Sequence, residues 1–162
     1  MKTIAGFLFF LLVACLFSVS KHKKPYPVYE WKLPPSIVNC IEPLDMNPEV
    51  FERATSFWED QGHSFLFKEN YTGDICDSSL PHGFIVIKIS YELSFYVLGK
   101  TERIFRGETN EMEASIIYLN YNHAEDDIVL IHEIGHALGY MHVDKIGHIM
   151  NPLRPNADYY FY

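Results

Sequence analysis

The sequence predicts one α+β domain that follows a short N-terminal segment. Two helical patterns, at residues 47–61 and from residue 125 onward, alternate with apolar runs typical of strands. The clearest strand is the run at 83–90, which we expect to be buried on both faces. A length of 162 residues suits one domain, and a hydrophobic content of 48% is enough for a real core.

Composition and charge argue against some classes of partner. The formal net charge is −8 at pH 7, so a nucleic-acid partner is not expected. We expect a monomer. No internal repeat or low-complexity segment interrupts the chain.

Residues 1–20 have the pattern of a secretory signal peptide. Lys2 provides the positive start, residues 4–17 form an apolar run, and the small residues at 18–20 precede the expected cleavage point. The apolar run is short for a membrane span, which needs about 20 residues. We therefore expect a secreted, extracellular protein.

Two alternatives to secretion in soluble form remain open at this N-terminus. Residues 12–15 resemble a bacterial lipoprotein signal, which would place a lipid on Cys15, although the apolar run continues past it. Three lysines follow the run and favour retention on the inner side, as in an uncleaved anchor (Lys21, Lys23 and Lys24). The protein would contact a membrane only in these two cases.

Residues 21–35 are basic and then rich in proline and aromatics, which predicts an extended lead-in. The folded domain is expected to span 36–162 and to begin with a strand at 36–41. Its remaining strands are expected at 63–68, 83–90, 99–106 and 114–121, with a loop at 73–83. The strand at 99–106 is expected to be the edge strand that borders a cleft.

The first helix has a strong start signal. Asn47 is a capping residue, Pro48 suits the first turn, and Glu49 is an acid at the positive helix end. Apolar residues then recur at helical spacing and predict a core-facing stripe: Val50, Phe51, Ala54, Phe57 and Trp58. The acids at 125–127 open the second helix in the same way.

Two cysteines, Cys40 and Cys76, follow the predicted signal peptide. An oxidising compartment favours pairing, so secretion predicts a disulfide between them. The alternative is two buried free thiols. The sequon at 70–72 matters only on a eukaryotic secretory route.

The second helix contains the pattern H-E-x-x-H-x-x-G-x-x-H, with every fixed position filled. His132 and His136 are four residues apart and therefore lie on one helix face. Gly139 lets the backbone leave the helix, so His142 can turn back as a third ligand. Three neutral nitrogen ligands with an open fourth position suit a catalytic zinc ion. Glu133 lies beside the first histidine, within reach of a water on that metal.

At this point the sequence resembles the metzincin family of zinc peptidases. The motif is followed by Met150 within residues 147–152, as in the tight turn whose methionine lies beneath the metal in that family. Pro152, two positions after the methionine, is similar to the matrixin pattern. The resemblance implies a twisted, mostly parallel sheet with a backing helix, an active-site helix and a Met-turn.

The resemblance also implies a function. We expect a zinc endopeptidase that hydrolyses protein or peptide substrates, with Glu133 as the general base and His132, His136 and His142 as zinc ligands. Matrixins often hold calcium as well, but the sequence does not locate such a site. The alternative is a non-catalytic zinc-containing binding or structural protein of a surface or particle, and retention of Glu133 argues against it.

The other histidines are expected to be solvated loop residues, and Tyr140 inside the motif is expected to pack. These histidines are His22, His63, His82, His123 and His148. The tail at 158–162 is too short for a long third helix and is expected to pack on the domain or line the cleft.

Overall fold

The computed structural model describes residues 27–70, 73–153 and 159–161. Within these residues the strands are β1 Glu30–Trp31, β2 Ser36–Asn39, β3 Lys68–Asn70, β4 Phe84–Ser90, β5 Gly99–Phe105 and β6 Glu111–Asn120. The α-helices are α1 Pro48–Asp60, α2 Gly73–Asp77 and α3 Asp127–Ala137, and a 3-10 turn spans Tyr121–His123. The predicted signal peptide at 1–20 and most of the sequon at 70–72 lie outside the described residues.

All the described strands form one six-stranded sheet. Strands β1, β6, β4, β2 and β3 are adjacent in that order and parallel. Strand β5 is antiparallel and pairs only with β6 in the described part of the chain, so one of its edges is free. The prediction of a mostly parallel sheet with few helices is confirmed, and so is the edge strand.

Helix α1 lies behind the sheet and packs against α3. Its start follows the prediction, because the Asn47 side chain accepts a 3.0 Å hydrogen bond from the Glu49 amide. The Trp58 indole N–H donates to the Ile131 carbonyl at 2.8 Å and joins the two helices. The buried face of α1 comprises Val50, Phe51, Ala54, Thr55 and Trp58, whereas Phe57 is only partly buried.

Three local predictions need correction. The strand expected at 63–68 begins only at Lys68 and ends at Asn70, and Leu66 and Phe67 before it are exposed, so the apolar residues there do not form a buried strand. The loop expected at 73–83 contains the short helix α2. The lead-in contains β1, which pairs with the start of β6.

A disulfide links Cys40, just after β2, to Cys76 in α2, as the sequence predicted. It ties the short helix to the sheet across a separation of 36 residues. None of the helices within the described residues has both the length and the apolar character needed to span a bilayer.

Helix α3 approaches its neighbours closely at Gly135. A Cβ atom at this position would lie 2.7 Å from Trp58 Cζ2 and would collide with the Met150 sulfur. Both neighbours are fully buried, so neither can move freely out of the way. The absence of a side chain at Gly135 therefore sets the distance between α3, α1 and the segment around Met150.

We predict that Gly135→Ala lowers the free energy of unfolding by about 1–2 kcal/mol. Overpacking typically costs about 1–3 kcal/mol, and the higher helix propensity of alanine offsets up to about 1 kcal/mol of it. Urea denaturation would measure the change, with Gly73→Ala as the control, because nothing lies within 4 Å of a Cβ placed there. A Gly135→Ala protein as stable as the wild type would contradict this account of the packing.

Candidate metal centre

The motif histidines come from α3 and the turn that follows it. His132 and His136 lie on one face of the helix, which ends at Ala137. Gly139 then adopts a φ of +99°, which favours glycine, and a Cβ there would collide with the Tyr29 carbonyl oxygen. The chain can reverse here only because this residue has no side chain, and the reversal brings His142 back to the helix face.

The three imidazoles converge through their Nε2 atoms. His142 Nε2 lies 3.3 Å from His132 Nε2 and 3.1 Å from His136 Nε2. One ligand atom from each residue lies within 4.8 Å of the others, so the three could hold one metal ion. Among the described residues, no other group of three or more His, Cys, Asp or Glu side chains is close enough to do so.

Two of the rings are fixed from behind by backbone carbonyls. The Nδ1–H of His132 donates to the Ile149 carbonyl at 2.7 Å, and that of His136 donates to the Tyr140 carbonyl at 2.8 Å. A proton on Nδ1 leaves the Nε2 lone pair free, and it aims that lone pair at the common centre. This is the tautomer that a metal ligand requires.

Burial keeps the three imidazoles uncharged. Desolvation lowers the pKa of His136 to about 4, and it also lowers the pKa values of His132 and His142. The positive charge of Arg103 adds to the lowering of the pKa for His136 and His142. All three shifts favour the neutral imidazole, which is the form that binds a metal ion.

Glu133 belongs to α3 and is 6% exposed, and its side chain lies between this helix and β5. The Thr101 hydroxyl donates to its carboxylate at 2.6 Å, and a Cβ at Gly99 would come within 2.7 Å of Glu133 Cγ. Burial raises the pKa of Glu133 to about 7, against the opposing effects of the Thr101 hydrogen bond and the Arg103 charge. A carboxylate with a pKa in this range can both accept and return a proton near neutral pH.

A cleft of about 400 Å³ opens beside the histidines. Its floor includes His132 and Glu133, and its rim includes the exposed Tyr96 and Val97 of the β4–β5 loop. The segment after Met150 also lines the cleft. The further lining residues are Leu98, Gly99, Ile128, Val129, His142, Asn151, Pro152 and Leu153.

Met150 is fully buried beneath α3, against Gly135. Its amide donates to His148 Nδ1 at 3.0 Å. His148 is itself only 3% exposed, so the expectation of a solvated loop histidine is wrong at this position. The described part of the tail packs on the domain, because Tyr160 bridges to His148 and Phe161 is buried.

Tyr140 packs as expected, stacked on Trp58 with ring centroids 5.3 Å apart. Its hydroxyl also lies 2.8 Å from His63 Nε2, so His63 is a partner in this cluster and not a solvated loop residue. His82 is exposed and His123 is half-buried. His22 lies outside the described residues.

Sequence reasoning missed three residues of β5 that contribute to the site, namely Gly99, Thr101 and Arg103. They alternate along the strand, so they share the face that looks towards α3. This alternation within the predicted edge strand is the signal that could have found them.

No protein-family model matches this sequence, and no curated protein matches it. Among solved structures, the chain is similar to the crystal structure of metalloproteinase-II from Bacteroides fragilis, with a TM-score of 0.43 and 15% identity. The match covers 82% of this chain and 52% of that one, so the chain spans about half its length. A similarity this weak supports no statement about function, which has to be argued from the geometry of the site.

We predict that purified wild-type protein retains one equivalent of zinc and that His136→Ala loses most of it. Removing one of three converging nitrogens leaves two ligands, which bind zinc far more weakly. Metal analysis after dialysis would measure this, with His82→Ala as a control that removes an exposed histidine outside the cluster. Full zinc retention by His136→Ala would contradict the ligand assignment.

Proposed function

We propose that this protein is a secreted zinc-dependent endopeptidase. The observation that carries the proposal is the meeting of three imidazole nitrogens with a buried carboxylate, Glu133, at a cleft walled by a free strand edge. The disulfide between Cys40 and Cys76 supports secretion, because such bonds persist in oxidising compartments.

The donor set fits zinc better than the hard cations. Neutral imidazole nitrogens suit zinc, whereas calcium and magnesium prefer oxygen ligands. Three protein ligands leave a coordination position open to solvent, in contrast to a closed structural site. A zinc ion held by His132, His136 and His142 would supply Lewis acidity and make a nearby water more acidic.

Glu133 is proposed as the general base and acid. Its carboxylate would accept a proton from the water that attacks the scissile carbonyl carbon, and would then give that proton to the leaving amine nitrogen. Thr101 donates to one carboxylate oxygen and fixes the side chain next to the histidines. Burial excludes bulk water from this carboxylate and strengthens its interactions there.

The free edge of β5 is proposed as the binding surface for the substrate backbone. An extended peptide can add to an open sheet edge through main-chain hydrogen bonds, whatever its side chains are. This edge passes Gly99 and Thr101, and both lie against Glu133. A peptide paired with β5 would therefore present a backbone carbonyl next to the histidine cluster.

The second candidate, a zinc-containing binding protein without activity, is less well supported. Glu133 does not contribute to the cluster that could hold metal, yet it is buried with a raised pKa. A buried carboxylate destabilises a fold unless it is compensated, so its presence beside the histidines favours catalysis over metal storage.

We predict that Glu133→Gln folds, keeps its zinc and cleaves peptides at least about 10²–10⁴-fold more slowly than the wild type. The amide conserves size but cannot accept the proton, and this range is typical of a lost general base. Cleavage of denatured proteins and of a mixed peptide library, with and without a chelator, would measure it.

Glu102→Gln is the matched control, because it makes the same chemical change at an exposed residue paired with Lys100 on β5. It should cleave like the wild type. Equal cleavage by Glu133→Gln and the wild type would refute the mechanism. Zinc bound at full occupancy without cleavage of any substrate would instead favour the non-catalytic alternative.

A further inference from the structure

Strand β5 and the turn after it carry three cations, of which two are neutralised by carboxylates. Lys100 Nζ lies 2.6 Å from Glu102, and Arg106 Nε lies 2.7 Å from Glu113. Arg103 has no carboxylate within 4.0 Å among residues 27–70, 73–153 and 159–161. It is therefore a cation without an anionic partner in the described part of the chain.

The contacts that Arg103 does make are weak ones for a guanidinium. Its Nη1 lies 3.4 Å from the sulfur of Met141, and its Cζ lies 4.8 Å from the centre of the Tyr29 ring. A thioether is a poor acceptor, whereas a carboxylate can accept two parallel hydrogen bonds from the guanidinium fork. The aromatic ring supports the side chain from one side and leaves this capacity unused.

Arg103 lies on the functional face of β5. Gly99 and Thr101 contact Glu133, and Arg103 follows them at the next position on the same face. The Met141 sulfur that its Nη1 contacts belongs to the residue directly before His142, so the guanidinium lies beside the histidine cluster. The nearby carboxylate of Glu133 is bonded to Thr101 instead.

The surface along β5 therefore changes character from one end of the strand to the other. At the Gly99 end it is bordered by Tyr96, Val97 and Leu98, which are largely apolar. At the other end, beyond Thr101, stand Arg103 and the half-exposed Met141. A peptide paired with β5 would meet an apolar surface on one side of the scissile bond and a cation on the other.

We propose that Arg103 is a specificity-determining residue that binds the carboxylate of an Asp or Glu side chain in the substrate, on the side of the scissile bond away from the apolar cleft. This inference rests on the proposed peptidase function and adds a substrate class to it. The carboxylate would accept two parallel hydrogen bonds from the guanidinium, which would replace the contact with the Met141 sulfur.

The test uses a peptide that the wild type cleaves, taken from a mixed library. A Glu or Gln is placed in turn at each of the positions flanking the scissile bond, and each peptide is made with a free and an amidated C-terminus. We expect one position at which Glu raises kcat/KM over Gln by about five- to tenfold in the wild type, mainly through KM, as a charge-assisted pair outside the reacting atoms would.

Arg103→Gln should bring the Glu-to-Gln ratio close to one, and Arg103→Glu should bring it below one, because a like charge then faces the Glu side chain of the peptide. Arg103→Lys should retain part of the preference, because it keeps the charge but not the planar fork. Lys100→Gln is the matched control: it removes one positive charge from the same strand at an exposed, ion-paired residue, and it should leave the ratio unchanged.

An unchanged ratio in Arg103→Gln, with cleavage intact, would overturn this inference and leave the peptidase proposal standing. A kcat/KM that falls on C-terminal amidation in the wild type but not in Arg103→Gln would also overturn it, since the carboxylate recognised would then be the chain terminus. Absence of wild-type cleavage of every peptide would overturn both proposals.

Discussion

The site depends on two hydrogen bonds from imidazole Nδ1 atoms to backbone carbonyls. They select the tautomer of His132 and His136 and fix each ring against rotation. A hydrogen bond of this kind is only as rigid as its acceptor. The acceptor for His132 is the Ile149 carbonyl, and the amide of the same residue donates to the Tyr160 carbonyl at 2.7 Å. The described end of the chain thus positions one ring, although it lies far from the motif in sequence.

The other acceptor, the Tyr140 carbonyl, depends on the opposite end of the described chain. The turn at Gly139 is held because the Val28 amide donates to the Gly139 carbonyl at 2.9 Å. The Trp31 indole also donates to the Ala137 carbonyl at 2.8 Å, at the last residue of α3. The three histidines are close in sequence, but the backbone carbonyls that orient two of their rings are held by residues from both ends of the described chain, Val28 and Tyr160.

This division explains what could be predicted. The spacing of His132, His136 and His142 follows from helix periodicity and one glycine turn within eleven residues, so the sequence alone brings them together. The cap at Asn47 is equally local. Alternation along β5 places Thr101 and Arg103 on one face, but that this face meets α3 follows from the pairing of β5 with β6 and the packing of α3 on the sheet, which are tertiary contacts. The burial of His148 was not predicted for the same reason, since burial is a tertiary property.

Glu133 is a buried ionisable group, and its burial in charged form would lower the stability of the fold. Burial penalises the charged form and raises its pKa, and this is the larger effect. The Thr101 hydroxyl and the Arg103 charge compensate only in part, because the pKa remains near 7. Gly99 contributes by having no side chain, which lets the carboxylate enter the space between helix and strand. Each of these three β5 residues contacts or acts on the same carboxylate. In the proposed peptidase, one face of the edge strand thus serves both the carboxylate and the peptide backbone, so a change at Gly99 or Thr101 would alter both together.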